Sequence, residues 1–137
     1  MILISSINYA FAQYVEEPLV VLETNQGEIV IEFFQLDAPK HTENFILLSK
    51  TGYYDGVLFH RIIPGFMIQS GDPNTIDGDP NTWGQGGKGA SSDRIDAEFN
   101  SIQHERGIVS MARSSDPNSA GSQFFIVHKD STFLDGE

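Results

Sequence analysis

Apolar and polar positions alternate in short bursts along most of this chain, and only one stretch has the wider spacing of a helix. Leu19 to Thr24 and Glu28 to Phe34 are β-branched and apolar, and Asn25-Gln26-Gly27 between them has hairpin-turn composition. In the second arm Ile29 and Ile31 alternate with Glu28, Val30 and Glu32, so one face is wetter than the other. A helix is predicted next. Asp37 is its expected cap, Pro39 fits its first turn, and Gly52 ends it in the left-handed conformation. Phe45, Ile46, Leu47 and Leu48 form a wide apolar stripe that belongs to the core.

The centre of the chain is Phe59-His60-Arg61-Ile62-Ile63-Pro64-Gly65-Phe66-Met67-Ile68-Gln69-Ser70-Gly71-Asp72. Pro64-Gly65 is a turn signal, because proline presets φ and glycine accepts the positive φ that follows. The apolar runs on either side read as two strands joined by that turn. One carries Arg61 and the other Gln69. An arginine among Phe, Ile and Met is expensive to dehydrate, so it needs a partner or a task. The plainer outcome is that it snorkels to the rim and pairs with an acid.

From Pro73 to Ser92 the pattern breaks into a polar loop of about twenty residues, a length that usually marks function or mobility. It contains Gly84-Gln85-Gly86-Gly87-Lys88-Gly89, which satisfies the dinucleotide fingerprint. That motif has meaning only between a strand and a helix. Here Pro80-Asn81 precedes it and Ala90-Ser91-Ser92-Asp93 follows, so no nucleotide site is expected. The last third returns to strands, at Ala97-Glu98-Phe99, Gly107 to Ala112 and Gln123 to Val127, with a turn of helix at Phe133 to Gly136. Strands outnumber helices without βαβ alternation. The fold class is mainly β, an antiparallel sheet closing toward a barrel.

Length and composition narrow the function. The 137 residues suit one domain, and 8 Lys+Arg against 19 Asp+Glu give a net charge of −11. That balance argues against nucleic acid or an anionic membrane as a partner. No cysteine is present, which removes thiol catalysis and thiolate metal sites. The four histidines, His41, His60, His104 and His128, lie far apart, so no local metal motif exists. His60 reads as a hydrogen-bonded core histidine rather than a base. Ser110 and Ser122 lack the elbow of a hydrolase nucleophile. Residues 1–12 are apolar and end in Ala10-Phe11-Ala12, a small-x-small cleavage form without a basic n-region. They read as a signal-peptide remnant or a ragged terminus, ahead of a domain at 13–137. Localisation follows that choice, extracytoplasmic in the first case and cytoplasmic in the second.

The central stretch, together with Gly121-Ser122-Gln123-Phe124-Phe125-Ile126 and the closing Leu134-Asp135-Gly136, resembles the cyclophilin family of peptidyl-prolyl cis-trans isomerases. These are three separated motifs in the family's order, and the resemblance runs from about Leu19 to the end. Met111 to Ala120 is similar to bacterial and archaeal members. The resemblance implies an eight-stranded antiparallel barrel flanked by two helices, needing no metal or cofactor. It implies rotation of X-Pro bonds in unfolded or exposed polypeptides, by a protein that is monomeric when complete. It implies that Arg61 is the catalytic arginine and that Gln69 holds the substrate backbone beside it. Phe66, Met67, Phe125 and Leu134 match the pocket for the proline ring. Ala112, Arg113 and Gln123 match the peptide groove, Gly84 the loop beside it, and His60 belongs to the motif as scaffold or chemistry.

Two departures qualify this. The family often has tryptophan where Phe133 stands, a ring that helps bind cyclosporin, so weak drug sensitivity is implied. The chain also stops at Glu137, where the family continues with a pocket histidine, the last strands and a second helix. The sequence therefore reads as a fragment that is aggregation-prone and weakly active alone. Other classes stay open on residues alone: a module that binds proline peptides without turnover, or a small-ligand β-barrel.

Overall fold

A computed structural model describes residues 18–90 and 94–136, and the leader-like stretch 1–12 lies outside the described residues. The expected first hairpin is present, as β1 (Val20–Thr24) and β2 (Gly27–Ile31), paired from Val20↔Ile31 to Thr24↔Gly27. Its turn is tighter than expected. Only Asn25-Gln26 lie outside the ladder, and Gly27 opens the second strand at φ 124°. β2 also stops at Ile31, short of Phe34. Ile31 is buried while Glu28 and Val30 are exposed, so the alternation has sorted the two faces as its pattern required.

Four more strands form the second sheet: β3 (Arg61–Ile63), β4 (Met67–Ser70), β5 (Val109–Met111) and β6 (Phe124–Val127), in the order β3-β4-β6-β5. All neighbours are antiparallel. The Pro64-Gly65 turn sets Arg61 opposite Gln69, with Gly65 at φ 75°. The two sheets remain separate among the described residues, but they share a core. Ile31, Phe45 and Phe124 are its centre, with Val20, Leu22 and Ile29 packed from the first sheet and Val109, Met111 and Ile126 from the second. The aromatic rings of Phe45 and Phe124 meet at 5.0 Å, nearly edge to face, and Tyr54 lies within 5.1 Å and 5.6 Å of them. Burial pushes the Tyr54 hydroxyl well above its ordinary value, and it donates to Ser122 O at 3.0 Å.

The helix α1 (Pro39–Lys50) starts differently from its prediction. Asp37 is not the cap: its N–H bonds Phe34 O at 3.1 Å within a turn, and Ala38 occupies the cap position without a side-chain bond. The open N–H groups find a distant acid instead. Glu98 accepts from Lys40 N at 3.1 Å and His41 N at 3.0 Å, so its carboxylate sits at the positive end of the helix. The apolar stripe is narrower than expected, with Phe45 and Leu48 buried but Leu47 exposed. Gly52 does end the helix, at φ 71°, letting Tyr53 N reach Leu48 O at 3.1 Å.

Ala97-Glu98-Phe99 is not a strand. Ala97 N donates to the Asn118 side chain at 3.0 Å and Glu98 turns to the helix, so the local pairing reduces to one bridge, Ile95↔Ala120. The polar loop after Pro73 is partly ordered into α2 (Asn74–Asp77) and a 3-10 turn at Pro80–Thr82. Another 3-10 turn, Thr132–Leu134, matches the helical turn expected near Phe133. Among the described residues no helix is long and apolar enough to cross a membrane.

Candidate active site

Residues paired directly across antiparallel strands project to the same face of a sheet. The register therefore builds one row across the second sheet: Arg61 opposite Gln69, Gln69 opposite Phe125, and Phe125 opposite Ser110. Two positions along each strand, Ile63, Met67 and Val127 form a parallel row, with Met67 and Val127 each only 1% exposed. Phe124, Met111, Ile126 and Val109 fall on the other face, toward the shared core. The motifs separated in sequence thus become neighbours.

Polar groups along this face form a directional chain. Arg61 Nη1 donates to Gln69 Oε1 at 3.3 Å, Gln69 Nε2 donates to Gln123 Oε1 at 2.9 Å, and Gln123 Nε2 donates to Gly86 O at 2.6 Å. Arg61 is exposed, as snorkelling requires, but among the described residues its side chain pairs with no acid. Its charge is left available on an apolar rim. Phe66 lies against Phe133, ring centroids 5.5 Å apart, and Phe133 itself is 67% exposed. Leu134 is half-buried in the adjoining turn.

The remaining expected residues divide. Ala112 N donates to Gln123 O at 2.9 Å, which extends the β5–β6 pairing and sets Ala112 beside Gln123. Arg113 is exposed, and its guanidinium donates to Ser114 O at 2.9 Å. It also borders a separate cavity of about 170 Å³ between β2, α1 and β5, away from Arg61. Gly84, at φ 85°, lies over His60, where a Cβ would stand 3.8 Å from Nε2. His60 is not the hydrogen-bonded histidine expected. Both ring nitrogens are buried without a hydrogen-bond partner among the described residues.

Sequence patterns missed two groups that hold this face in shape. The first is His104. Its ring stacks on Phe125 at 6.1 Å and 12°, Nδ1 meets Asp135 Oδ1 at 3.0 Å, and Nε2 meets Ser110 Oγ at 3.2 Å. Its backbone N–H also donates to Asp135 Oδ1 at 2.8 Å. That N–H first, and the ring second, hold the Asp135 carboxyl below the usual aspartate value. Carboxylate, imidazole and hydroxyl stand in the order of a hydrolase triad, but Ser110 lies within a strand instead of at an elbow turn. The arrangement acts as a clamp that ties the Thr132–Leu134 turn to β5 and to Phe125.

The second group is Asp72, which is completely buried. Its carboxylate accepts backbone N–H bonds from Asn74 at 2.9 Å, from Gly86 at 3.2 Å and from Gly84. The amides that a dinucleotide loop would turn toward phosphate are thus occupied by an internal acid. Packing behind the row is so close that Gly71, Gly86, Gly87 and Gly121 have no space for a Cβ, each being pressed on backbone or on a buried side chain. Among the described residues no three His, Asp or Glu side chains converge as a metal site.

Comparison with known proteins agrees with this geometry. Residues 19–137 match the family described as cyclophilin type peptidyl-prolyl cis-trans isomerase/CLD. A peptidyl-prolyl cis-trans isomerase of Schizosaccharomyces pombe is 45% identical over 120 residues, covering 86% of this chain and 72% of that protein. A cyclophilin type peptidyl-prolyl cis-trans isomerase of Cryptosporidium parvum, crystallised in the presence of the dipeptide Ala-Pro, has the same fold with a TM-score of 0.78. It is 39% identical, over 88% of this chain and 73% of that one. A cyclophilin of Hirschia baltica gives a TM-score of 0.72 at 28% identity, over 87% of this chain and 60% of that one. With the family's motifs brought into one cross-strand row and this match over the described domain, the chain belongs to the cyclophilin-type peptidyl-prolyl cis-trans isomerases.

Proposed function

We propose that this isomerase rotates X-Pro bonds in exposed or unfolded polypeptides with Arg61 as the donor to the prolyl nitrogen. The X-Pro amide resists rotation because nitrogen shares its lone pair with the carbonyl, giving a barrier of roughly 18–20 kcal/mol. Uncatalysed exchange takes tens of seconds, and reaching milliseconds needs about 10⁴-fold, or roughly 5–6 kcal/mol. As the amide twists, the lone pair returns to nitrogen and becomes an acceptor. A donor fixed beside it bonds the twisted state and not the planar one. One such preorganised donor contributes about 3–4 kcal/mol.

The apolar wall supplies the rest, because the twisted amide is less charge-separated than the planar one and is favoured away from water. Phe125, Phe66 and Leu134 are only partly buried and suited to that wall, with Met67 buried in the row beside them, and crystallisation of the Cryptosporidium parvum relative in the presence of Ala-Pro supports a proline-containing ligand. Gln69 holds the guanidinium from one side and has its own amide steadied by Gln123. The observation that carries this reading is the row itself, a guanidinium 3.3 Å from Gln69 Oε1 with Phe125 across the next strand. Its test is Arg61→Ala, assayed by protease-coupled isomerisation and by peptide titration. We expect turnover to fall about 10²–10³-fold, with peptide affinity falling far less. Equal losses in both would sink the transition-state role.

A further inference from the structure

We infer that Asp72 is a positioning residue for the reaction, setting the hydrogen-bond polarity that reaches Arg61. This rests on the reading of Arg61 as the donor. A completely buried carboxylate is expensive, and this one makes no ion pair among the described residues. It is held by backbone N–H groups alone, and two of these, Gly84 and Gly86, belong to the loop facing the site. Gly86 is also where the polar chain from Arg61 ends.

The polarity of that chain is decided at its ends. An arginine has only donors, and a carbonyl only accepts. Between Arg61 and Gly86 O stand two glutamine amides, each with one donating and one accepting end. One pair of orientations satisfies all three bonds, and the structure has it. Gly86 O forces Gln123 to turn its NH₂ outward, which presents Oε1 to Gln69. Gln69 must then turn Oε1 to the guanidinium. If the Gly86 carbonyl withdraws, Gln123 loses its acceptor, its amide is free to turn, and Gln69 is left held by the guanidinium alone. Arg61 is then fixed less firmly in its place. Asp72 prevents this by anchoring the amide of Gly86 itself and that of Gly84 on the same loop. Position 86 admits no side chain, since a Cβ there would fall on the Asp72 carboxylate, so the anchor and its glycine are built for each other.

The test is a cycle of purified wild type, Asp72→Asn, Arg61→Ala and the double variant, with kcat and KM measured on one X-Pro peptide. Asp72→Asn keeps the size but replaces one acceptor with a donor aimed at backbone N–H groups. Expected is a fall in kcat of about 10-fold with KM changed less than about 2-fold, and no further fall when Arg61 is already alanine. An equal loss in both backgrounds, a change in KM alone, or no change overturns the inference. Asp72→Ser, which leaves room for a water, carries the same expectations should Asp72→Asn fail to fold. If neither folds, Asp72 is scaffold only and the inference is overturned. A wild type without turnover would remove the reading of the site itself. An active wild type with an insensitive Asp72 overturns this inference alone.

Discussion

Replacing Glu98 with alanine separates the structure from the local rules of sequence most sharply. The first turn of α1 has no cap of its own, and Glu98 accepts from both Lys40 N and His41 N. Losing a capping side chain costs about 0.5–2 kcal/mol, and a carboxylate at the positive end of a helix adds about 0.3–1 kcal/mol. With partial exposure discounting the second figure, about 1–2 kcal/mol is expected, or about 3–7 °C in Tm for a domain of this size. A second signature should accompany it. Burial holds His41 below its ordinary pKa, while the Glu98 charge opposes that shift. A histidine depressed on folding binds fewer protons when folded than when unfolded, so it removes stability as pH falls through about 6.5. Without Glu98 the depression deepens, and the gap between variant and wild type should widen from pH 8 to pH 5.5. Asp37→Ala serves as the control and should melt like wild type. Thermal melts of the three proteins across that range decide the matter. If Asp37→Ala costs as much as Glu98→Ala, or if the gap is constant with pH, the capping argument is wrong.

Turnover should be flat between about pH 6 and 8 and indifferent to EDTA, because an arginine donor stays protonated and no base is required. A bell-shaped profile, or loss of activity on chelation, would shift the chemistry to His60 or to a metal. Gly71→Ala should cost about 2–4 kcal/mol by denaturant unfolding, since φ there is 89° and the new methyl would meet Ser122 O and the Gln123 Cα. A near-neutral change would show that β4 can slide away from the Gly121–Gln123 segment. The Asp135 carboxyl, held low by His104, contributes stability that is complete above its unfolded pKa and is lost as pH falls through the folded one. Acid melts from pH 5 to pH 2 should therefore be shallower for Asp135→Asn than for wild type, and parallel curves would refute it.

What the sequence made legible was whatever is decided within a few residues. The Pro64-Gly65 turn fixes its own register, so the opposition of Arg61 and Gln69 follows from local turn chemistry alone. The family's motifs, once recognised, marked Phe125 as a pocket position and Gln123 as a groove position, and the fold sets Phe125 opposite Gln69 and Gln123 Oε1 2.9 Å from Gln69 Nε2. The misses are long-range. Glu98 reaches Lys40 across 58 residues, and nothing distinguishes it from the other acids until the chain folds back. His104 and Asp135 are 31 apart and become a pair only when the last turn docks. Asp37 satisfies the local rule for a cap but lies one residue before the cap position, and the first helix N–H groups bond a carboxylate arriving from elsewhere. Most buried imidazoles find a partner, but neither ring nitrogen of His60 has one among the described residues. Ala97 to Phe99 has one alternation of apolar and polar residues, too little to tell a strand from a loop.

The close packing behind the row also sets where this enzyme can be altered. Gly71, Gly86, Gly87 and Gly121 form a wall in which main chain rests on main chain or on the buried Asp72 and Ser122. Any substitution there has to move a segment that bears Gln69 or Gln123, so damage reaches the reacting face without a contact residue having changed. The front is different: Phe133 and Arg113 are exposed, and each can be exchanged without displacing a neighbour's backbone. For directed evolution the two surfaces are unequal territory. Random mutagenesis that strikes the glycines yields mostly unfolded or inactive clones, whereas saturation at the two exposed positions leaves the frame unchanged and puts their proposed part in peptide preference to the test.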